Sequence, residues 1–542
     1  MEPHTCAPTM HTTLIAIAIV HALVKHVSAQ TCALASEIAR EDVKNALASA
    51  FYVDEGSTWM FDFDQLPADC TDCGNANPAS TYGCPRFSVS RVRRRSRRTR
   101  GDDEDAPRRV VRASATEPEY HTLPVLDSPN IEFAEGSSPG AQRDGVLPQT
   151  CEWTLEPTEV VLIYGCTPSA LAYFGITPYW YRLGGATSSL VFASLSDTFS
   201  MGENGDFGAF TRLSTEAATV SPGTFIRAPT APWNSSFSFI MSRNRAALSL
   251  AAAVLRDRGL VVNEVGVPPP PSADSTYTVL YRGALPASSE AWKNWVKAPP
   301  ITTLRLKPKS AAAPEAIFEA AAPLIARRTV DELSLTQAYD ALVSAVRERV
   351  ASVPGRDAAV AATVRPQIVI DSSMTCVNFR INCGGDNRDT NYIRAPAFTL
   401  ASNDDLVYAI GVRHVWTRNA YYHSVALYNR ARRLAVVSIE DAVFKNSAAP
   451  WSTSDAFYVV AFARDCSRHD VPIGVPCVDV PQNGFPSASR DESIELWERP
   501  YSTYSTTIGP WWQSMILPTL VRSIPAPPPS SSNPFSALFA SF

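Results

Sequence analysis

Residues 237–306 read FSFIM (237–241), AALSLAAAVL (246–255), VVNEVGV (261–267), YTVLY (277–281), EAWKNWV (290–296) and ITTLRL (301–306). The first, third, fourth and last are short apolar runs rich in β-branched and aromatic residues, the pattern of buried strands. The second is a longer Ala/Leu run with Gly259 just past its end, which predicts a helix and its stop; the fifth predicts a short helix. Pro268–Pro271 closes the run at 261–267. Strand-helix-strand-strand-helix-strand is the order of a ferredoxin-like α/β sandwich. Two further apolar strands precede it, 159–164 leading into Cys166 and 189–195, so a ferredoxin-like α+β domain is expected over 150–310.

C-terminal to this stretch, residues 311–363 read as a helical segment. Leu333, Leu335, Ala338, Tyr339, Leu342, Val343, Val346 and Val350 keep helical spacing until Pro354-Gly355 ends the run. From 364 to 524 the pattern changes to strands at 368–370, 406–412, 422–428, 434–439 and 457–462, separated by turn residues. That spacing predicts a mainly antiparallel β-domain. A Pro/Ser-rich tail follows over 525–542. The fold class expected for the whole chain is therefore α+β.

On the N-terminal side, Leu14 to Val24 is an apolar run of eleven residues followed by Val27-Ser28-Ala29. Such a run is too short for a membrane span and has the form of a signal peptide over 1–29, cleaved after Ala29. Residues 30–90 read as a Cys-rich helical module, with Leu34, Ile38, Val43, Leu47 and Phe51 at helical spacing. Residues 91–148 read as a charged linker, where an arginine run from Arg91 to Arg100 meets Asp102-Asp103-Glu104-Asp105. Charge blocks of this kind bury no apolar surface. In the secretory pathway they invite proteolysis, here at Arg94 or Arg98.

The cysteines point to the same compartment. Of eleven, Cys6 precedes the cleavage site, leaving Cys32, Cys70, Cys73, Cys84, Cys151, Cys166, Cys376, Cys383, Cys466 and Cys477. An even set in a chain with a leader is the signature of a disulfide framework. Short separations favour Cys151–Cys166, Cys376–Cys383 and Cys466–Cys477; the four N-terminal cysteines pair in any of three ways. The alternative reading of Cys70-x-x-Cys73, zinc, lacks nearby histidine ligands. Asn234-Ser235-Ser236 is an N-glycosylation sequon. A formal net charge of -5 and a pI near 6.0 argue against nucleic acid as a partner, and no apolar run is long enough for a transmembrane anchor.

Tyr173-Phe174-x-x-x-x-Tyr179, followed by Ala193-Ser194-Leu195-Ser196-Asp197, resembles a family of secreted algal and bacterial proteins with a YFxxxxY…ASLxD core. The resemblance extends to Asp386-Asn387-x-Asp389 and Gly411-x-x-His414. It implies ordered domains over 150–310 and 365–470 and, since the family has no assigned activity, carries over no catalytic residue.

Three constellations bear chemistry. Asp386, Asn387 and Asp389 cluster side-chain oxygens on one loop, the donor set a calcium ion takes; Glu203, Asn204 and Asp206 form a weaker set. His414 and His423 lie on consecutive expected strands, where Asp389 or Asp405 would serve as the acidic partner of a general base or a metal site. Tyr179-Trp180-Tyr181, Trp416 with Tyr421-Tyr422, and Trp511-Trp512 are aromatic clusters suited to gripping an extracellular protein or carbohydrate. The GxSxG, HExxH and P-loop patterns are absent from the sequence. The expectation is a secreted, disulfide-stabilised protein with a non-catalytic binding, matrix or surface role. The alternative is a secreted hydrolase-like enzyme using His414, His423 and Asp389.

Overall fold

The computed structural model describes residues 41–61, 80–88, 149–184, 189–195, 199–202, 233–234, 236–258, 260, 262–310, 331–362, 379–380, 382–383, 385–432, 434–484, 486–501 and 509–525. In the first half, a five-stranded sheet runs β1 (Phe51–Glu55), β12 (Ile301–Pro308), β5 (Val160–Cys166), β9 (Ser236–Ser242), β10 (Val262–Gly266). A seven-stranded sheet runs β2 (Ser57–Phe61), β3 (Ser80–Ser88), β11 (Thr276–Pro286), β6 (Leu171–Leu183), β7 (Ser189–Ser194), with β4 (Gln149–Thr150) on β3 and β8 (Phe199–Gly202) on β6. The chain is α+β, and its sheets are mainly antiparallel.

Strand periodicity explains how the first half packs. On β5, Val161 and Ile163 face the second sheet, whereas Val160, Leu162 and Tyr164 face helices. Those helices are α1 (41–50), through Val43 and Leu47, and α2 (Arg245–Asp257), through Ala247, Leu248, Ala251, Ala252 and Leu255. With both faces covered, β5 reads as an unbroken apolar run rather than an alternating one. Asn244 starts α2 by accepting from the Ala247 backbone N–H at 2.9 Å. Helix α3 (Ser289–Lys297) buries Trp292, Trp295 and Val296 in the core between the sheets.

The expected strands and helices between 237 and 306 are present in the expected chain order, but the strands do not pair as in a ferredoxin-like sheet. Strand β10 returns through α2 to lie parallel beside β9, and β11 then joins the other sheet. After the break at Pro268–Pro271, β11 runs along the thirteen-residue β6. The pattern located the strands and left their partners open. A second correction concerns residues 30–90. The expected helix is present as α1, but β1 pairs with β12, and β3 with β2 and β11, so the described parts of this segment pack into the first half rather than forming a separate module.

In the second half, one five-stranded sheet runs β13 (Arg356–Ala362), β21 (Thr519–Pro525), β15 (Leu406–Val412), β18 (Phe457–Ala463), β19 (Cys477–Asp479). Facing it is a four-stranded sheet, β14 (Ile393–Arg394), β20 (Ile494–Tyr501), β16 (Tyr422–Asn429), β17 (Leu434–Glu440). Leu406, Tyr408, Ile410 and Val412 meet Tyr339, Leu342, Val346 and Val350 of α4 (Thr336–Ala351); Val407 and Ala409 meet Val425, Leu427 and Leu496 across the sandwich. The helix expected before 363 therefore belongs to this half, with β13 completing the sheet beneath it. Both halves repeat one layering, helix on five-stranded sheet on second sheet. The two second sheets meet where Tyr173 packs on Tyr501 at 4.6 Å and Tyr422 at 6.2 Å between ring centroids.

Cys466 and Cys477 are bridged, with Cα atoms 5.9 Å apart. Cys151 pairs with Cys84 and not with Cys166, because β4 returns antiparallel to β3 and brings the two Cα atoms to 5.6 Å. Cys166 and Cys383 each take part in a disulfide as well. Cys32, Cys70, Cys73, Cys376, the cleavage positions Ala29, Arg94 and Arg98, and the Glu203–Asp206 set lie outside the described residues. Among the described residues, no helix is long and apolar enough to cross a membrane.

Candidate metal centre

The rows of side chains that fill the C-terminal sandwich end in ionisable groups. On β16 the inward row runs Leu427, Val425, His423, and on β20 it runs Ile494, Leu496, Glu498. On the facing sheet, Tyr458 continues the row of Phe462 and Val460, and its ring lies over Gly411, where an added Cβ would stand 2.5 Å from the hydroxyl. Gly411 thus makes the room that lets Tyr458 donate to Glu498 Oε1 at 2.9 Å. Just past β15, His414 turns in from the loop 413–420, which folds back through Asn419 and Ala420 N–H bonds to the His414 carbonyl.

The two imidazoles face each other, ring centroids 4.8 Å apart, and both are 0 % exposed. His423 Nε2 is 2.9 Å from Glu498 Oε1. His414 Nε2 stands 3.5 Å from the same oxygen but makes no hydrogen bond, while His414 Nδ1 lies 2.9 Å from Glu332 Oε1. Glu332 also accepts from Thr417 Oγ1 at 2.6 Å, Asn419 Nδ2 at 2.8 Å and the Ile516 backbone N–H at 3.0 Å. A carboxylate is acceptor-only, so the proton between Glu332 and His414 sits on Nδ1. His414, His423 and Glu498 offer one ligand atom each, all within 4.8 Å of one another. The acidic partners expected for the histidines were Asp389 or Asp405. The structure supplies Glu332, from the turn before α4, and Glu498 instead, because Asp389 bonds to Tyr173 and Asp405 to the Ser402 backbone.

Electrostatics binds the group together. Burial opposes charge on His414, yet the Glu332 and Glu498 carboxylates outweigh it and raise its pKa from the ordinary 6.5 to about 10. Burial likewise opposes charge on Glu498, and the two imidazoles outweigh it, lowering its pKa from 4.5 to about 2. A raised cationic group stabilises fully below pH 6.5 and loses its contribution as pH climbs through 10; a depressed carboxylate stabilises above pH 4.5 and loses its contribution as pH falls through 2. In metal-free buffer the unfolding midpoint should therefore peak between pH 4.5 and 6.5 and fall steadily toward pH 10. Thermal melts of wild type and His414→Gln across that range check this. A wild-type curve that runs parallel to the variant's above pH 6.5 would contradict it.

The loop suggested for calcium does a different job. Asp386 accepts from the Ser194 backbone N–H at 2.8 Å and from the Ser194 hydroxyl at 2.7 Å. Asn387 accepts from Thr177 at 3.0 Å, and Asp389 from the Tyr173 hydroxyl at 2.8 Å. Gly385 starts the loop at φ +71°, where an added Cβ would also strike the Phe192 ring, and its carbonyl accepts from Arg282 at 2.9 Å. Both Asp386 oxygens, Asn387 Oδ1 and Asp389 Oδ2 are thus engaged by hydroxyls and an amide of the first half. The loop works as a latch between halves, and Tyr173, Tyr179 and Ser194 of the YFxxxxY…ASLxD core lie on its far side.

The aromatic clusters divide. Tyr179, Trp180, Tyr181 and Tyr422 are buried, Tyr421, Trp511 and Trp512 are partly buried, and Trp416 is 51 % exposed on the outside of the loop 413–420. Asn234 is partly exposed, in a left-handed turn at φ 53° just before β9.

No protein-family model matches the chain, and no curated protein matches it. Among solved structures, an uncharacterised protein from Burkholderia cenocepacia is similar at 10 % identity, with a TM-score of 0.34 over 87 % of this chain and 82 % of that one. A presumed secreted protein from Parabacteroides distasonis is similar at 7 % identity, with a TM-score of 0.13 over 68 % of this chain and 74 % of that one. At such scores neither likeness carries an argument about fold or function.

Proposed function

We propose that this chain is a secreted, disulfide-stabilised extracellular protein with a non-catalytic binding or surface role. The observation that carries the reading is the enclosure of its acid–histidine group: His414, His423 and Glu498 are all 0 % exposed and held by fixed partners. A general base works only within hydrogen-bond reach of a substrate proton. On the outer side of the same loop, Trp416 presents an exposed indole, the residue type that anchors binding surfaces. The disulfides at Cys84–Cys151 and Cys466–Cys477 fit an oxidising compartment.

The reading includes a leader removed after Ala29, glycosylation at Asn234 and processing at Arg94 or Arg98. It also includes membership of the family with the YFxxxxY…ASLxD core. The latch supports that membership, since it joins the two segments in which the resemblance lies. The favoured partner is an extracellular carbohydrate or protein.

A glycan array probed with secreted wild type, Trp416→Ala and His423→Gln tests the role. Trp416→Ala should lose most of the binding signal while its melting temperature stays near wild type, because an exposed side chain contributes little to the core. Turnover of an array glycan that disappears with His423→Gln in a folded protein would replace this reading with the enzyme.

A further inference from the structure

The geometry points to a zinc-class divalent metal ion held by His414, His423 and Glu498, pinning the two sheets of the C-terminal sandwich together. This inference stands independently of the binding role. Two donor atoms about 2.1 Å from one metal lie roughly 3.0–3.4 Å apart at coordination angles from 90° to tetrahedral. The Glu498 oxygen is 2.9 Å from His423 Nε2 and 3.5 Å from His414 Nε2, and the three donors lie within 4.8 Å of one another, so a small closing of the two imidazoles onto the carboxylate seats one ion.

Orphaned atoms point the same way. His414 Nε2 is buried without a hydrogen-bond partner, as are His423 Nδ1 and Glu498 Oε2. Three unsatisfied polar atoms in one dry site are expensive. A dication that displaces the His414 Nε2 proton and takes its lone pair removes one of these costs directly. It also fits the role of Glu332, since a metal-bound histidine usually donates its other nitrogen to a carboxylate, which fixes the tautomer and strengthens the ligand. Glu332 is itself held by Thr417, Asn419 and Ile516, so the orienting group is rigid.

Charge and donor type select the ion. With neutral imidazoles, Glu332 and Glu498 leave two negative charges in a fully buried site, which one dication neutralises. Two imidazole nitrogens with one carboxylate oxygen suit zinc and its transition-metal neighbours better than calcium or magnesium, which prefer all-oxygen sites. His414 follows β15 of one sheet, whereas His423 and Glu498 stand on β16 and β20 of the other, so a bound ion crosslinks the layers.

The test uses the full secreted chain, stripped with chelator and dialysed against zinc chloride or cobalt(II) chloride. Elemental analysis should find one equivalent retained, and X-ray absorption on the wild-type zinc protein should show two imidazole ligands at about 2.0–2.1 Å. Glu332→Gln should weaken zinc affinity by about 10–100-fold, and His423→Asn by more, while the control His469→Ala leaves it unchanged. Zinc should raise the melting temperature of wild type and not of His423→Asn. Absence of retained metal in the folded wild type would overturn the assignment, as would an absorption spectrum lacking imidazole scattering. The wild-type spectrum serves whether or not the variants fold.

Discussion

Replacing Glu498 by Leu lowers the unfolding free energy of the C-terminal half by about 3–5 kcal/mol in chelator-containing buffer, the cost of breaking a buried charge pair from one side. Three groups lose their partner together: His423 Nε2 and the Tyr458 hydroxyl, each at 2.9 Å, and the His414 ring at 3.5 Å. All three are fully buried, so water cannot replace the carboxylate without opening the sandwich. Urea unfolding followed by tryptophan fluorescence measures the loss. The double variant Glu498→Leu/His423→Leu should recover part of it, because the imidazole whose hydrogen bond went to Glu498 leaves with its partner. A single-variant effect below about 1 kcal/mol would mean that the cluster is solvated and not enclosed.

Arg464→Met should be comparably damaging, by about 3–5 kcal/mol, through unpaired backbone acceptors. Just beyond β18, the buried Arg464 guanidinium donates to the carbonyls of Leu400 at 2.9 Å, Val480 at 3.2 Å, Pro481 at 3.3 Å, Ala488 at 2.6 Å and Ser489 at 2.8 Å. One side chain thus ties two loops to the sheet edge, and Met fills its volume without replacing a single donor. Arg464→Lys should recover only a minor share, since a point ammonium cannot reach acceptors spread around a planar fork. Calorimetry of both variants decides the matter; equal stability of Lys and Arg would show that charge alone holds the loops.

The sequence shows local periodicity well and partner choice poorly. The runs at 237–241, 261–267, 277–281 and 301–306 contain strands because their apolar density fits a surface covered on both sides. Nothing in those runs says that β11 leaves its neighbours for the other sheet, since both sheets offer it an apolar face. The strands at 51–61 were hidden for a related reason: Phe51 completes a helical spacing with Val43 and Leu47, yet it begins β1. The alternation through Phe51, Tyr52, Val53, Thr58 and Trp59 was the signal available there.

The candidate centre was half legible. Two histidines on consecutive strands could be paired from the sequence, and they do face one another. Their carboxylates come from positions 82 and 75 residues away, distances over which spacing carries no information. The signal available for Glu498 was an acid at an inward position of a strand, following Ile494 and Leu496 at intervals of two. Asp389 was a plausible substitute by proximity in sequence, but Tyr173 had already claimed it.

The bridge between Cys84 and Cys151 changes what a cut in the arginine run would do. These cysteines are 67 positions apart in sequence, and the whole charged segment lies inside the covalent ring they close. A protease acting at Arg94 or Arg98 therefore opens a ring instead of severing a tether. The N-terminal piece stays attached through sulfur, and its strands β1 to β3 stay paired in both sheets of the first half. The product is a two-chain protein with fresh ends at one site and no loss of mass. What such a cut releases is the constraint on the segment itself, and separating the pieces falls to a reductant.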